Sequence, residues 1–189
     1  HVKMTFSPGI NPGLEFTQSV VGGTVPKNYY PAVEKGLLES MQKGVLAGYP
    51  VVNLKADLSD GSYHPVDSSE MAFKIAASLA YKEALPRANP VLLEPVGKLN
   101  VYAPSEMLGD IMGAINKRRG RVLGMTPTEK HGEQVIEAEA PMAEMMDFAI
   151  QLRAITQGRG SYTLYFSDYE EVPMFNAQKI IEEAKKNND

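Results

Sequence analysis

Polar and apolar residues alternate along "VVNLKADL". Val52, Leu54, Ala56 and Leu58 share one face, and Asn53, Lys55 and Asp57 the other. A period of two predicts a half-buried strand. Upstream, "VKMTF" and "LEFTQSV" read as extended pieces joined by "SPGINPG", whose two Pro-Gly steps and asparagine favour a turn. "VVGGTVP" reads as a loop or strand end. Pro31 suits the first position of a helix. Val33, Leu37, Leu38 and Met41 give that helix its apolar stripe, and Gly44 a C-terminal cap. The polar turn "DGSYHPVDSSE" follows the strand. Asp67 and Glu70 have capping-box spacing, with Val66 and Met71 placed as a hydrophobic staple. The helix so started runs to about Leu85, because Pro86 is costly in a helix interior. Its alanines permit close packing on a sheet.

After the proline-punctuated stretch "NPVLLEPVG" the pattern changes. "KLNVYA" is a strand. Ser105 to about Arg119 is a helix burying Met107, Leu108, Ile111, Met112 and Ile115. "RVLGMTPTEKHGEQVIEAEAP" gives two strands around a turn, Met142 to about Gln157 a helix, and "SYTLYF" a last strand. The order β-α-β-β-α-β is that of a ferredoxin-like split βαβ domain. The expected fold class is therefore α+β, two α/β sandwich domains at residues 1–96 and 97–175. A terminal helix and tail follow at 176–189.

Composition changes this picture little and narrows the chemistry more. The chain has 189 residues, 43% hydrophobic and 22% charged, which suits two small domains. It has no apolar run long enough for a membrane helix and no secretory signal, so no membrane partner is expected and a cytoplasmic location is. It begins at His1, so a fragment or a processed product is expected. The absence of cysteine excludes disulfides and thiolate chemistry. His1, His64 and His131 lack metal-ligand spacing, so no metal site is expected. A net charge of −4 argues against broad nucleic-acid binding, leaving room for a local patch.

No phosphate-binding glycine loop occurs. "QGRGSY" lies after a helix and before a strand, the wrong order for a dinucleotide turn, and reads as a helix cap and tight turn. Ser62, His64 and Asp67 are close in sequence, but one short turn seldom supplies a whole hydrolytic triad. Glu137 and Glu139 share a strand face where solvated charge is common. The run "NKRRGR" is the densest positive cluster. Its Lys117, Arg118, Arg119 and Arg121 either offset a helix dipole or contact phosphates. His64 has three readings: an ordinary turn residue, a general base without a visible partner, or a recognition tip. For the last, Tyr63 can stack on a base, Ser62 and His64 can hydrogen-bond, and Pro65 restricts His64 to an extended backbone.

Several long stretches resemble elongation factor G. They include "GGTVPKNYYPAVEKGLLESMQKGVLAGYPVVN", "GSYHPVDSSEMAFKIAASLAYKEA", "ANPVLLEPV", "GDIMGAINKRRGRVLGM", "PMAEMMDFAIQLRAITQGRGSY" and "YEEVP". They match the family's fourth and fifth domains, in order, over nearly the whole chain. The resemblance implies a ribosome-binding part of a translocation factor, with no catalytic residue of its own and no cofactor. GTP and Mg would belong to an N-terminal domain of the parent protein. It implies a ribosomal-protein-like fourth domain with a left-handed β-α-β crossover, and a ferredoxin-like fifth domain. The tip would carry Gly61, Ser62, Tyr63 and His64, with Gly9, Ile10, Asn11, Pro12 and Gly13 as a second tip loop. Partners would be the small-subunit decoding region, the tRNA–mRNA duplex and, through Lys117, Arg118, Arg119 and Arg121, rRNA of the large subunit. A monomer is expected. A ribosomal-protection or recycling paralogue, and a small-molecule enzyme using His64, are the alternatives.

Overall fold

The computed structural model describes residues 1–187. Two compact units are formed: His1–Val91 with the segment from Met174 onward, and Leu92–Pro173. The first unit holds strands β1 (Val2–Pro8), β2 (Leu14–Gln18) and β3 (Leu54–Gly61), with helices α1 (Tyr30–Ser40) and α2 (Glu70–Ala84). Helix α5 (Met174–Lys186) groups with it.

β3 is the middle strand, in the order β1-β3-β2. β1 runs antiparallel to it and β2 parallel. The two extended pieces around "SPGINPG" therefore do not pair with each other. Each takes one edge of β3, and β2 returns to β3 through α1, as a parallel pair requires a long crossover. Leu54, Ala56 and Leu58 point into a core with Val33, Leu37, Phe73, Ala77 and Tyr81.

Three local expectations change. The alternation starts at Leu54, because Asn53 takes a left-handed backbone (φ 55°) that breaks the period and leaves Val52 exposed. α1 ends at Ser40, and Gly44 lies in the next turn, where its N–H donates to the Tyr49 carbonyl at 2.8 Å. The cap of α2 is Ser69, whose hydroxyl accepts from the Ala72 N–H at 3.1 Å. The N–H groups of Asp67 and Ser68 are taken by the His64 carbonyl instead. The chain thus completes a turn before the helix begins, and Val66 stands 92% exposed with no staple formed.

The second unit is built from β4 (Leu93–Pro104), α3 (Leu108–Lys117), β5 (Arg121–Pro127), β6 (Glu133–Pro141), α4 (Phe148–Thr156) and β7 (Ser161–Glu171). The sheet order β5-β6-β4-β7, antiparallel throughout, is ferredoxin-like. Leu99, Val101, Ile136 and Ala138 pack against Leu108, Ile111, Ile115, Phe148 and Leu152 of the two helices. Both helices are shorter than expected, because 3-10 turns at Ser105–Met107 and Met142–Glu144 precede them. The stretch read as a domain boundary is the start of β4, where Leu93–Val96 pair with β7. The division falls at Val91/Leu92, not between residues 96 and 97.

Acidity belongs to one unit. Residues 92–173 carry twelve acidic and eight basic side chains, whereas residues 1–91 carry eight of each.

Candidate functional site

Strand register decides which loops share an end of the first sheet. β1 and β3 pair Val2 with Gly61 and Pro8 with Leu54. β2 and β3 pair Leu14 with Leu54 and Gln18 with Leu58. The His64 turn leaves β3 at Gly61. It therefore shares its end with the residues around His1 and with the segment after Gln18. The 9–13 turn sits at the Leu54 end, seven residues away, or roughly 23 Å along the strand.

Gly9, Ile10, Asn11, Pro12 and Gly13 are thus removed from the His64 tip. Their turn is fastened locally. The Gly9 N–H donates to the Asn53 carbonyl at 2.6 Å, and the Asn53 N–H donates to the Pro12 carbonyl at 3.0 Å. The N–H groups of Ile10 and Asn11 donate to Glu15 Oε1 at 2.7 and 2.8 Å. Those bonds, that of Asn11 foremost, hold the Glu15 carboxyl below the usual carboxylate range.

The segment that does join the tip is Ser19–Val25, which sequence reasoning passed over as a loop. Val21 is exposed, and Gly22 and Gly23 both have positive φ, 72° and 69°. Thr24 Oγ1 donates to Asp60 Oδ1 at 2.9 Å, and Lys3 Nζ lies 3.2 Å from Asp60 Oδ2. The Gly61 N–H, Thr24 and Lys3 together keep the Asp60 carboxyl below its usual range. Val25 is fully buried under the strand end. Gly61 leaves no room for a side chain: a Cβ would lie 2.5 Å from both the His1 carbonyl oxygen and Val25 Cγ2. The Ser62 N–H donates to that same His1 carbonyl at 3.1 Å.

His64 is exposed at the crest of the turn. Its N–H donates to Ser68 Oγ at 2.9 Å, and its carbonyl accepts from Asp67 and Ser68. These are backbone bonds, so the imidazole makes no hydrogen bond among the described residues. Tyr63 is partly exposed and leans on Tyr29 at 5.7 Å between ring centroids. Tyr29 stacks at 4.7 Å on buried Phe73. This aromatic column ties the turn to the core, and burial followed by the nearby Tyr63 raises the Tyr29 phenol above its usual range. The arrangement holds a free imidazole on a stiff mount. It can donate or accept hydrogen bonds to a ligand. Among the described residues, no carboxylate is hydrogen-bonded to the ring to orient it as a general base.

The basic run behaves otherwise. Arg118 is buried, 7% exposed, and donates to the Ala114 carbonyl and to Asp147 Oδ1 at 2.9 Å, beside the Phe148 ring. Arg119 grips both oxygens of Glu94 at 2.7 and 2.9 Å and also reaches Glu144 at 3.3 Å. Arg121 donates to Glu139 at 2.7 Å and Glu170 at 3.1 Å. Among the described residues, only Lys117 of the four is exposed without an ion pair. Of the expected four cations, Arg118 is withdrawn by burial and Arg119 is occupied by its bidentate pair with Glu94. No group of side chains suited to a metal ion is found among the described residues.

Two family models match this chain in succession. Residues 1–89 match elongation factor G, domain IV, and residues 91–180 match the elongation factor G C-terminus. The chain belongs to the elongation factor G family. A protein of Thermus thermophilus with a crystal structure is similar at 44% identity and a TM-score of 0.88. That similarity covers 98% of this chain and 27% of that one, so the present chain spans about a quarter of that protein's length. The boundary between the two matches agrees with the start of β4. The His64 end lies wholly within domain IV, and the arginine cluster wholly within the C-terminal domain. The two matched models, domain IV and the C-terminus, do not include the family's GTPase domain.

Proposed function

We propose that this chain is the ribosome-binding C-terminal part of a translation elongation factor that promotes GTP-dependent movement of tRNA and mRNA. The His64 end of domain IV enters the small-subunit decoding site, and the C-terminal domain faces rRNA of the large subunit. GTP and Mg are held by another domain of the longer protein, which works in the cytoplasm as a monomer. The observation that carries this reading is the exposed His64 imidazole on a mount braced by Gly61, Asp60 and the Tyr63–Tyr29–Phe73 column. Such a tip is built to meet RNA edges by hydrogen bonding, without transferring protons.

The test is His64→Ala in the full-length factor. Single-turnover translocation slows, while ribosome-stimulated GTP hydrolysis persists. Lost hydrolysis with normal translocation would overturn the proposed role.

A further inference from the structure

Helix α2 has two apolar rows. Phe73, Ala77 and Tyr81 form the buried one. Met71, Ile75 and Leu79 form another, 62%, 52% and 60% exposed. Single exposed hydrophobic residues are ordinary. A row at i, i+4 and i+8 is a continuous stripe along one helix face. Met71 and Ile75 also line an open groove of about 630 Å³ between α1 and α2. The helices touch closely at Gly36, where a Cβ would lie 2.5 Å from the Lys74 carbonyl. Ser40 and Ser78 join hydroxyls at 3.1 Å, and both line the groove.

Lys43, Lys74 and Lys82 are the groove's cations, against Glu39 alone. Glu39 is taken by Lys74 at 2.8 Å. Lys43 and Lys82 have no ion pair among the described residues. This surplus lies in a unit whose residues 1–91 are otherwise balanced.

We propose that the α1–α2 groove docks an acidic segment of a partner protein. An apolar side chain of that segment rests on Met71 and Ile75, and its carboxylates meet Lys43 and Lys82. Charge complementarity and the apolar row choose this occupant together. A nucleic acid would use arginine or exposed aromatic faces for its bases. The lining holds no arginine, and its one aromatic residue, Tyr81, is buried. Methionine gives an adaptable apolar contact, and lysine stems extend that surface while their ammonium heads stay solvated.

The experiment selects random phage-displayed peptides on the immobilised chain, then titrates a selected peptide into it by NMR. Peptides rich in Asp or Glu with a large apolar residue should be enriched, and should shift α1 and α2 amides. Combined Lys43→Glu and Lys82→Glu should weaken binding about tenfold or more, and Ile75→Ser about tenfold, as lost charge and apolar contacts imply. All three positions are on the surface, and an unchanged circular dichroism spectrum confirms the fold. Selected peptides without acidic and apolar bias would overturn the proposal, as would binding that survives the charge reversal. So would self-association through this face in sedimentation, or polyuridylate binding lost on the same reversal.

Discussion

The His64 end of domain IV and the arginine cluster of the C-terminal domain look alike as strings: short, polar, and at the edge of a helix. Folded, they are opposites. At the tip, backbone groups and an aromatic column consume the bonding capacity of the mount and leave the imidazole free. In the cluster the side chains themselves are consumed. Arg118, Arg119 and Arg121 face Asp147, Glu94, Glu144, Glu139 and Glu170. Three cations thus face five carboxylates. Charge density along a sequence is therefore a poor guide to charge available for a ligand. What counts is whether the same fold brings the counter-charges along.

Arg119 gives the largest expected effect. Removing it by Arg119→Ala strands Glu94, whose side chain is 13% exposed. Breaking such a pair is costly because a largely buried charge loses its partner, so a loss of roughly 3 kcal/mol is expected in urea unfolding of the C-terminal domain. His64→Ala, followed by urea unfolding of domain IV, should cost no more than about 0.5 kcal/mol, as surface changes do. Equal stabilities for the two variants would erase the contrast between a structural cluster and a functional tip.

Next in size is Gly61→Ala. The new methyl group meets buried Val25 Cγ2 and the His1 carbonyl, which accepts from the Ser62 N–H. Overpacking of this kind costs roughly 1–3 kcal/mol. Unlike His64→Ala, it should move the amide resonances of Ser62, Thr24 and Val25 together. Unchanged spectra and stability would show that the strand end yields easily, and the mount would not be stiff.

Element types were legible in the sequence, because they rest on local periodicity. The ferredoxin-like order of the second unit, the Leu54–Leu58 face and the exposed His64 turn are all of that kind. Register was not legible. "SPGINPG" has the composition of a hairpin turn, and nothing local reveals that β1 and β2 flank β3 on opposite edges. That long-range pairing moved residues 9–13 to the far end and brought Ser19–Val25 to the tip. The capping error has a similar source. Asp67-x-x-Glu70 fits a box, but the His64 carbonyl captures the Asp67 and Ser68 amides first, and Ser69 caps instead. The cations of "NKRRGR" could not be discounted from sequence either, since Glu94, Glu139, Glu144 and Glu170 lie far from them along the chain.

The smallest effect concerns acid, and it separates the tip from the rest of its sheet. Asp60 is held below its usual range by the Gly61 N–H first, then by Thr24 and Lys3. A carboxyl with a depressed folded pKa binds its proton less readily when folded. Its stabilisation is fully present above the unfolded value, about 3.9 for aspartate, and is lost as pH falls through the lower folded value. Lowering the pH should therefore leave Thr24 and Gly61 resonances unmoved through the usual aspartate range and shift them only below it. Asp60→Asn keeps the shape but removes the titration, so that shift should vanish in the variant while the rest of the β3 spectrum titrates as before. If Thr24 instead titrates at or above the ordinary aspartate value, the Asp60 bonds do not brace the tip. The bracing would then rest on other contacts, the Gly61 packing, the aromatic column and the His64–Ser68 bonds among them.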